Sequence, residues 1–214
     1  MKKVLLILVL VVFAFSIYSY DKPLVYMSKS LLIPGWGFVS DGLKAGYAFS
    51  AVEATAIVAA VSFYSASKYY SNNSIDYASI YMNRDASALS GDILTKMELY
   101  ISSDRYNELL PLRARDIYPD DPDKQKLYIE KNTIPDSLGW VWNDEEKLDK
   151  YYKLRAGQRI YERYLTYTIA GIVLNHVVSA ISNYIYADKR LKNSLIIDGN
   201  VDFDGVGVNI GVKF

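Results

Sequence analysis

Hydrophobic and polar residues are unevenly distributed along the 214-residue chain, which begins with an apolar run from Val4 to Phe15. Lys2 and Lys3 precede this run, and small residues follow it at Ser16 and Ser19. A basic start, an apolar stretch and a small-residue end are typical of an export signal. We therefore predict a signal peptide over residues 1–19, with cleavage after Ser16 or Ser19. Extension of the run to Tyr20 leaves an uncleaved anchor as the alternative.

Two further apolar segments follow the amino-terminal run. Ala45 to Ala66 carries one charge, at Glu53, and Tyr164 to Ala187 carries none unless His176 is protonated. Both are long enough to cross a bilayer core. In the first segment the apolar residues contribute roughly −3 kcal/mol to insertion and a central acid costs about the same amount. We predict membrane helices within residues 20–70 and 164–192, the first of which needs a partner for Glu53.

Small and polar residues recur every four positions in both segments. In the first segment they are Gly46, Ser50 and Ala54, and in the second they are Gly171, Asn175, Ser179 and Asn183. Such stripes allow helices to approach closely and to form hydrogen bonds within the membrane. We expect a helix hairpin or small bundle with a polar contact formed by Glu53, Asn175, His176, Ser179 and Asn183. The alternatives are that these groups are satisfied separately, or that both helices are buried in a water-soluble domain.

A segment rich in proline and glycine, residues 30–46, comes directly before and at the start of the first apolar helix. We call it the PGxG hairpin because it contains Pro34, Gly35, Trp36 and Gly37, followed by Gly42 and Gly46. Proline and clustered glycines interrupt a helix. We therefore predict a short apolar entry piece, a tight turn and then the membrane helix.

These motifs resemble those of a family of uncharacterised bacterial membrane proteins, a domain of unknown function. In that family a PGxG hairpin follows a signal peptide and a later membrane helix carries N-x-x-x-S-A-I, which this chain matches from Asn175 to Ile181. The chain departs from the pattern at Phe38 and Ser182 and has a longer middle region. The resemblance implies an exported protein of the bacterial cell envelope, and it implies no activity.

The middle of the chain, residues 71–163, is polar and rich in tyrosine, with 14 basic and 17 acidic residues. We predict a helical soluble region, with helices over Asp76–Asp85 and Asp92–Leu110 and a third that begins at Asp121-Pro122. Pro111 is expected to end a helix. Asn143 is expected to cap a final helix running from about Asp144 to Leu191. Its arginines at 155, 159 and 163 can meet lipid phosphates or acidic side chains, and the abundance of acids favours the second.

The carboxyl-terminal residues 193–214 change from a helical to an alternating pattern. Val206 to Phe214 alternates apolar and small or polar residues, and Leu195 to Phe203 precedes it. This pattern predicts a β-hairpin, which must either pack on the helices or pair at its edge with a second copy or another envelope protein. The predicted fold class is therefore mainly α: a membrane-associated helical hairpin or small bundle with a helical soluble insert and a C-terminal β-hairpin.

Composition excludes several kinds of site. Basic and acidic residues are equal in number, at 24 each, which disfavours a nucleic-acid-binding face. The chain has no cysteine and a single histidine, so thiolate chemistry and a zinc site of several histidines are excluded. Asp120, Asp121 and Asp123 lack the glycine and glutamate of a calcium loop, and capping explains them better. We predict no enzyme activity, no cofactor and no metal.

These observations lead to a functional expectation. We predict a non-enzymatic scaffold or assembly subunit of the bacterial cell envelope, with the lipid bilayer as its partner. One alternative is a small transporter-like or channel-like subunit with a polar path at Glu53 and His176. Another is a soluble periplasmic helical domain. The sequence leaves open which side of the membrane holds residues 71–163, because basic residues flank the second apolar segment on both sides.

Overall fold

The computed structural model describes the backbone of residues 22–82, 84–202 and 205–212, and side chains as far as Leu191. The chain divides into two compact units. Unit 1 comprises Met1–Ala60 together with Thr166–Phe214, and unit 2 comprises Val61–Leu165. The predicted signal peptide lies outside the described residues.

Unit 1 is built from two short helices and parts of two long ones. Helix α1 spans Lys22–Leu32 and α2 spans Trp36–Ser40; α3, Ala45–Met82, begins in this unit. The helix break between α1 and α2 falls at Pro34 and Gly35, where Gly35 has a φ of 88° that favours glycine. The predicted turn before a long helix is found at residues 30–46; the entry piece is the end of α1, and an additional short helix, α2, lies between the turn and α3.

Unit 2 contains the second part of α3 and, in the part of the chain that the structure describes, five further helical elements before the last helix begins. These are a 3-10 helix at Ala86–Ala88, α4 at Gly91–Leu99, α5 at Ser103–Ile117 and α6 at Pro122–Asn132, followed by a 3-10 helix at Asp136–Leu138. Helix α7 then runs over Glu145–Ser194, which confirms the long final helix. The predicted helix over Asp76–Asp85 is the end of α3 and stops at Met82.

Short polar side chains set the starts of the helices in unit 2. The hydroxyls of Ser90 and Ser102 accept from the amides of Ile93 and Arg105, and Asp121 accepts from the amide of Lys124. The prediction that Asp121-Pro122 starts a helix is confirmed.

Three details of the predicted helices in unit 2 are wrong. The helix expected over Asp92–Leu110 is two helices, because Ser102 is extended and caps α5. Pro111 lies inside α5, where the buried residues on both sides of it hold the helix together despite the missing amide. The cap of α7 is Asp144 and not Asn143, since the Asp144 carboxylate accepts from the amide of Lys147.

Aromatic side chains form the centre of unit 2. Trp140, Trp142 and Tyr151 are almost completely buried, in a cluster that also contains Ala78, Met82, Ala86, Leu94, Met97, Tyr106, Leu110 and Ile134. The Trp142 ring lies 4.9 Å from that of Tyr151, and its Nε1 donates to the carbonyl of Met97 at 2.8 Å. Each buried ring therefore has both apolar neighbours and a partner for its polar atom.

The predicted fold class is wrong in its β-hairpin, although mainly α is correct. In residues 22–82 and 84–191, where side chains are described, the helices are joined by loops and no strand is present. The backbone beyond α7 is extended at Leu195–Asp202 (β1) and Gly205–Val212 (β2), which pair only with each other. A lone pair of strands is marginal in water. The fold of residues 22–82 and 84–191 is helical, and the predicted fold class is corrected to mainly α without a β element in that part of the chain.

Two of the described helices, α3 and α7, are long enough and apolar enough to cross a membrane. This property rests on length and composition alone. It agrees with the prediction of two membrane-type segments, one in each of these helices.

Candidate functional site

The predicted polar contact is centred on Glu53, a residue of α3 whose side chain is only 13% exposed. Asn175 on α7 donates from Nδ2 to Glu53 Oε2 at 2.9 Å and to the carbonyl of Phe49 at 3.1 Å. The carboxylate and a backbone carbonyl of α3 thus share one amide of α7. The structure brings these two predicted residues together.

His176 connects Glu53 to the PGxG hairpin. Its Nδ1 lies 2.6 Å from the carbonyl oxygen of Leu31, and its Nε2 lies 3.1 Å from Glu53 Oε1. A carbonyl oxygen can only accept, so Nδ1 carries a hydrogen. The imidazole therefore joins α1, α3 and α7 within unit 1.

Ser179 and Asn183 form hydrogen bonds with the PGxG hairpin. The amide of Gly35 donates to Ser179 Oγ at 2.7 Å, and Asn183 Nδ2 donates to Ser30 Oγ at 3.1 Å. Ser30 also accepts from the amide of Gly37 at 3.0 Å. The polar stripe of α7 therefore satisfies backbone amides at the helix break. The expectation of contacts between the two long helices alone missed this arrangement.

Glycines allow the PGxG hairpin to lie directly against α3. A Cβ atom on Gly35 would collide with the backbone of Gly46, and one on Gly37 would collide with Ser30 and Asn183. Ser50 donates to the carbonyl of Pro34 at 2.8 Å. In contrast, Gly42 only makes a turn, with a φ of 78°, and Trp36 is largely exposed.

Aromatic rings and an ion pair surround residues 38–41 of the PGxG hairpin. Phe38 stacks on Phe49 with ring centroids 5.7 Å apart, and its ring is 6.1 Å from that of Tyr186. Arg190 then donates to Asp41 at 2.9 Å. The hairpin is thus in contact with α7 from His176 to Arg190.

Sequence reasoning missed Ser30 and the carbonyl of Leu31. Ser30 is a single hydroxyl beside two leucines and is completely buried. Only its closeness to Pro34 and Gly35 in the sequence indicated that it could accept a hydrogen bond from the turn. The Leu31 carbonyl gave none, since backbone groups left unpaired at the end of a helix depend on where that helix ends. Gly171, a predicted stripe residue, has no neighbour near its Cα.

Unit 2 contains a separate buried charge cluster. The Glu98 carboxylate is 4% exposed and accepts from Arg155 Nε at 3.0 Å and from Arg159 Nη1 at 2.7 Å. The prediction that this arginine stripe pairs with acids is confirmed for both residues. Arg163 is exposed. The cluster is a structural ion pair between α4 and α7.

Among residues 22–82 and 84–191 no group of three or more histidine, aspartate or glutamate side chains is placed to hold a metal ion. Asp121 accepts from the side chain of Lys124 and, as a helix cap, from its amide, and these hydrogen bonds lower the pKa of the Asp121 carboxyl. The capping interpretation of the three neighbouring aspartates is confirmed for this residue.

Comparisons of the chain with protein-family models, with curated proteins and with solved structures found no match. The resemblance to uncharacterised bacterial membrane proteins therefore stays a prediction based on the PGxG and N-x-x-x-S-A-I motifs.

Proposed function

We propose that this chain is an integral membrane protein of the bacterial cell envelope that acts as a non-enzymatic scaffold or assembly subunit. In this proposal unit 1 is the membrane anchor, and residues 61–165 form the part available to other envelope proteins. The proposal is supported by the distribution of polar and apolar side chains in unit 1.

That distribution is the reverse of the one found in water-soluble domains. Ser30, Ser179 and Asn183 are almost completely buried. Large apolar side chains of α3 and α7 in unit 1 are exposed, and eight of them are between 41% and 61% exposed: Val52, Ile57, Ile169, Val173, Leu174, Val177, Ile181 and Ile185. Soluble proteins rarely expose so large a contiguous apolar surface. A bilayer covers such a surface without cost and disfavours the polar groups that unit 1 buries.

The hydrogen bonds of the polar contact support a structural role. Ser179 and Asn183 bind the PGxG hairpin, and Asn175 binds Glu53 and the Phe49 carbonyl. These bonds hold a helix break against two long helices. A helix break inside a membrane needs such partners, because its unpaired backbone groups have no water to bind. A fastened anchor of this kind suits a subunit that holds a position in the envelope.

Two matched lysine substitutions test the membrane assignment. Val173→Lys puts a charge on the exposed apolar face of α7, where the residue is 58% exposed, and Ile80→Lys changes an even more exposed residue of unit 2. In lipid the first change costs about 2.5 to 3.5 kcal/mol, because a charge enters the helix centre. We expect Val173→Lys to reduce the membrane-bound fraction after alkaline carbonate extraction and Ile80→Lys to leave it unchanged.

Release of the wild-type protein by carbonate would contradict the proposal and favour the soluble periplasmic alternative. Equal behaviour of the two lysine variants would show that the exposed face of α7 does not meet lipid. The transporter-like alternative has its own test, since it requires that Glu53→Gln abolish ion or proton flux in reconstituted vesicles.

A further inference from the structure

We propose that α1 and the PGxG hairpin form a re-entrant segment, which enters the membrane part-way and returns to the face from which it came. Lys22 and Arg190 then lie at one face of the membrane, and residues 61–165 lie at the other. The inference rests on the membrane assignment proposed for unit 1. It adds the orientation that the sequence leaves open, and it assigns lipid acyl chains as the partner of the exposed hairpin tip.

The second half of the hairpin runs alongside α7 toward Arg190. From the tip outward, three residues of the hairpin contact three successive positions of α7, at distances of 2.7, 6.1 and 2.9 Å: Gly35 to Ser179, Phe38 to Tyr186 and Asp41 to Arg190. The residue numbers of both partners rise together, and the contacts cover about 17 Å of α7. The chain therefore leads from the tip back to the end of α7 that carries Arg190.

Helix α1 runs in the opposite sense, from this end of α7 to the tip. The Tyr26 side chain interacts with Asp41, the partner of Arg190. The Leu31 carbonyl, further along α1, lies 2.6 Å from Nδ1 of His176, which is about 21 Å along α7 from Arg190. Since α1 has 11 residues, it is too short to cross a hydrocarbon core of roughly 30 Å. Both halves of the hairpin therefore have their outer ends beside Arg190.

Helix α3 continues past the tip of the hairpin. Ser50 donates to the carbonyl of Pro34 at the tip, and Glu53, about one turn later, contacts His176. Within unit 1, α3 then extends to Ala60, away from the end at which the hairpin enters. Of the elements described in unit 1, α3 and α7 are those that reach the far end of the apolar segments. The chain between them, residues 61–165, is therefore assigned to the opposite face.

The tip has the distribution of polar and apolar groups that a position within lipid requires. Ser30 and Ser179 are buried and accept hydrogen bonds from the two glycine amides at the helix break. Ile33 and Trp36 point outward and are 53% and 43% exposed. Irregular backbone is tolerated at membrane depth where it is buried in protein. The two exposed side chains are placed to contact acyl chains.

One charged side chain, Lys29, lies within the re-entrant segment between Lys22 and Asp41. Its ammonium is 5.6 Å from the centre of the Tyr26 ring, and Tyr26 interacts with Asp41. The ammonium is thus drawn toward the outer end of the hairpin. A long lysine side chain reaches the headgroup region from such a position, so the charge does not oppose a re-entrant arrangement.

Single cysteines test the arrangement, because the chain contains no cysteine of its own. Each of five full-length variants replaces one exposed side chain: Lys22→Cys, Ile33→Cys, Lys44→Cys, Lys126→Cys and Lys189→Cys. A membrane-impermeant maleimide is added to sealed bacterial membranes that are right side out, to membranes that are inside out, and to membranes dissolved in a denaturing detergent. Lys126→Cys, on α6, reports the face that holds residues 61–165.

We expect the cysteines at positions 22, 44 and 189 to react in one membrane orientation and the cysteine at position 126 to react in the other. Ile33→Cys should stay unlabelled in both orientations and react once the membranes are dissolved. Reaction at positions 22 and 44 from opposite faces would show that the hairpin crosses the membrane, and would overturn the proposal while unit 1 remains a membrane anchor. Reaction of Ile33→Cys as fast as Lys44→Cys in sealed membranes would overturn it too.

Failure of the membrane assignment itself gives a different result. All five cysteines would then react in the same orientation, and carbonate would release the protein. If Ile33→Cys does not fold, the comparison of Lys22→Cys with Lys44→Cys decides the proposal, because both lysines are exposed and lie on either side of the hairpin.

Discussion

The two units of this protein differ in the side chains that fill their interiors. Unit 2 packs aromatic rings at its centre and pairs their polar atoms with nearby carbonyls, as with Trp142 and Met97. Unit 1 buries serine and asparagine side chains and leaves valine, leucine and isoleucine exposed. The first arrangement is typical of a domain in water, and the second is what a lipid environment requires.

The difference shows that specificity in unit 1 comes from hydrogen bonds and close backbone contact. In the membrane setting that we propose for unit 1, apolar side chains gain little from contact with one another, because lipid tails are available as neighbours. The hydrogen bonds from Gly35 to Ser179 and from Asn183 to Ser30 therefore select one arrangement of the hairpin. In unit 2 the packing of the aromatic cluster selects the arrangement of the helices.

The largest expected effect is in the aromatic core of unit 2. Trp142→Ala removes a completely buried ring together with its hydrogen bond, and should lower the free energy of unfolding by about 3 to 5 kcal/mol. Its exposed neighbour offers the control, since Val141→Ala should change stability by less than about 0.5 kcal/mol. Denaturant unfolding followed by near-ultraviolet circular dichroism measures both. Similar stability of the two variants would mean that the aromatic cluster is not the core.

A glycine substitution tests the close backbone contact of unit 1. Gly35→Ala introduces a Cβ against Gly46 at a positive φ, and should destabilise the hairpin by about 2 to 5 kcal/mol. Gly171→Ala is the matched control, because a methyl group there meets open space in the middle of a helix. That change should stabilise α7 by about 0.5 to 1 kcal/mol. Thermal unfolding in detergent distinguishes them, and a tolerated Gly35→Ala would contradict the tight packing.

Removal of one hydroxyl tests the hydrogen bonds of unit 1. Ser179→Ala leaves the amide of Gly35 without its acceptor in a buried position, which should cost about 1 to 3 kcal/mol. Ser182→Ala on the same helix should have a smaller effect. Faster amide exchange at Gly35 in the first variant alone is the expected result. Equal exchange in both variants would show that the hydroxyl does not fasten the hairpin.

The smallest expected effect is a pH dependence in unit 2. Hydrogen bonds from the side chain and the amide of Lys147 lower the pKa of Asp144 at the start of α7. A carboxyl whose pKa is lower in the folded state stabilises the fold fully above its unfolded pKa, and this contribution is lost as pH falls through the folded pKa. Asp144→Asn keeps a capping side chain without this titration. Its unfolding midpoint should therefore decline less than that of the wild type in the acid range, and parallel declines would contradict the assignment.

Much of the local structure could be predicted from the sequence because its causes are local. Asp121 and Pro122 start α6, and the glycines near Pro34 interrupt the helix, as expected. Pro111 was misinterpreted because burial of residues on both sides outweighs one lost hydrogen bond. The break at Ser102 was also missed, since a serine within an otherwise helical pattern does not show whether it caps or continues the helix.

The candidate site was predictable in its residues but not in its connections. Periodicity placed Asn175, Ser179 and Asn183 on one face of α7, and the energetic cost of an acid within an apolar segment showed that Glu53 needed a partner. The partner of each of these side chains depends on where α1 ends and on how the carbonyl groups at its end are oriented. The pattern of residues in the sequence does not determine either. The same limit applied at the carboxyl terminus, where alternation favoured a hairpin although alternation alone does not supply a packing partner.

The amino-acid sequence by itself determined where α3 and α7 are apolar, where the chain turns and which side chains require partners, because these follow from composition and spacing along a helix. Only the tertiary structure decided that the polar face of α7 turns toward the PGxG hairpin, and that His176 bridges Leu31 and Glu53. Those contacts join residues more than 100 positions apart, and distant contacts depend on how helices pack and not on the local order of residues.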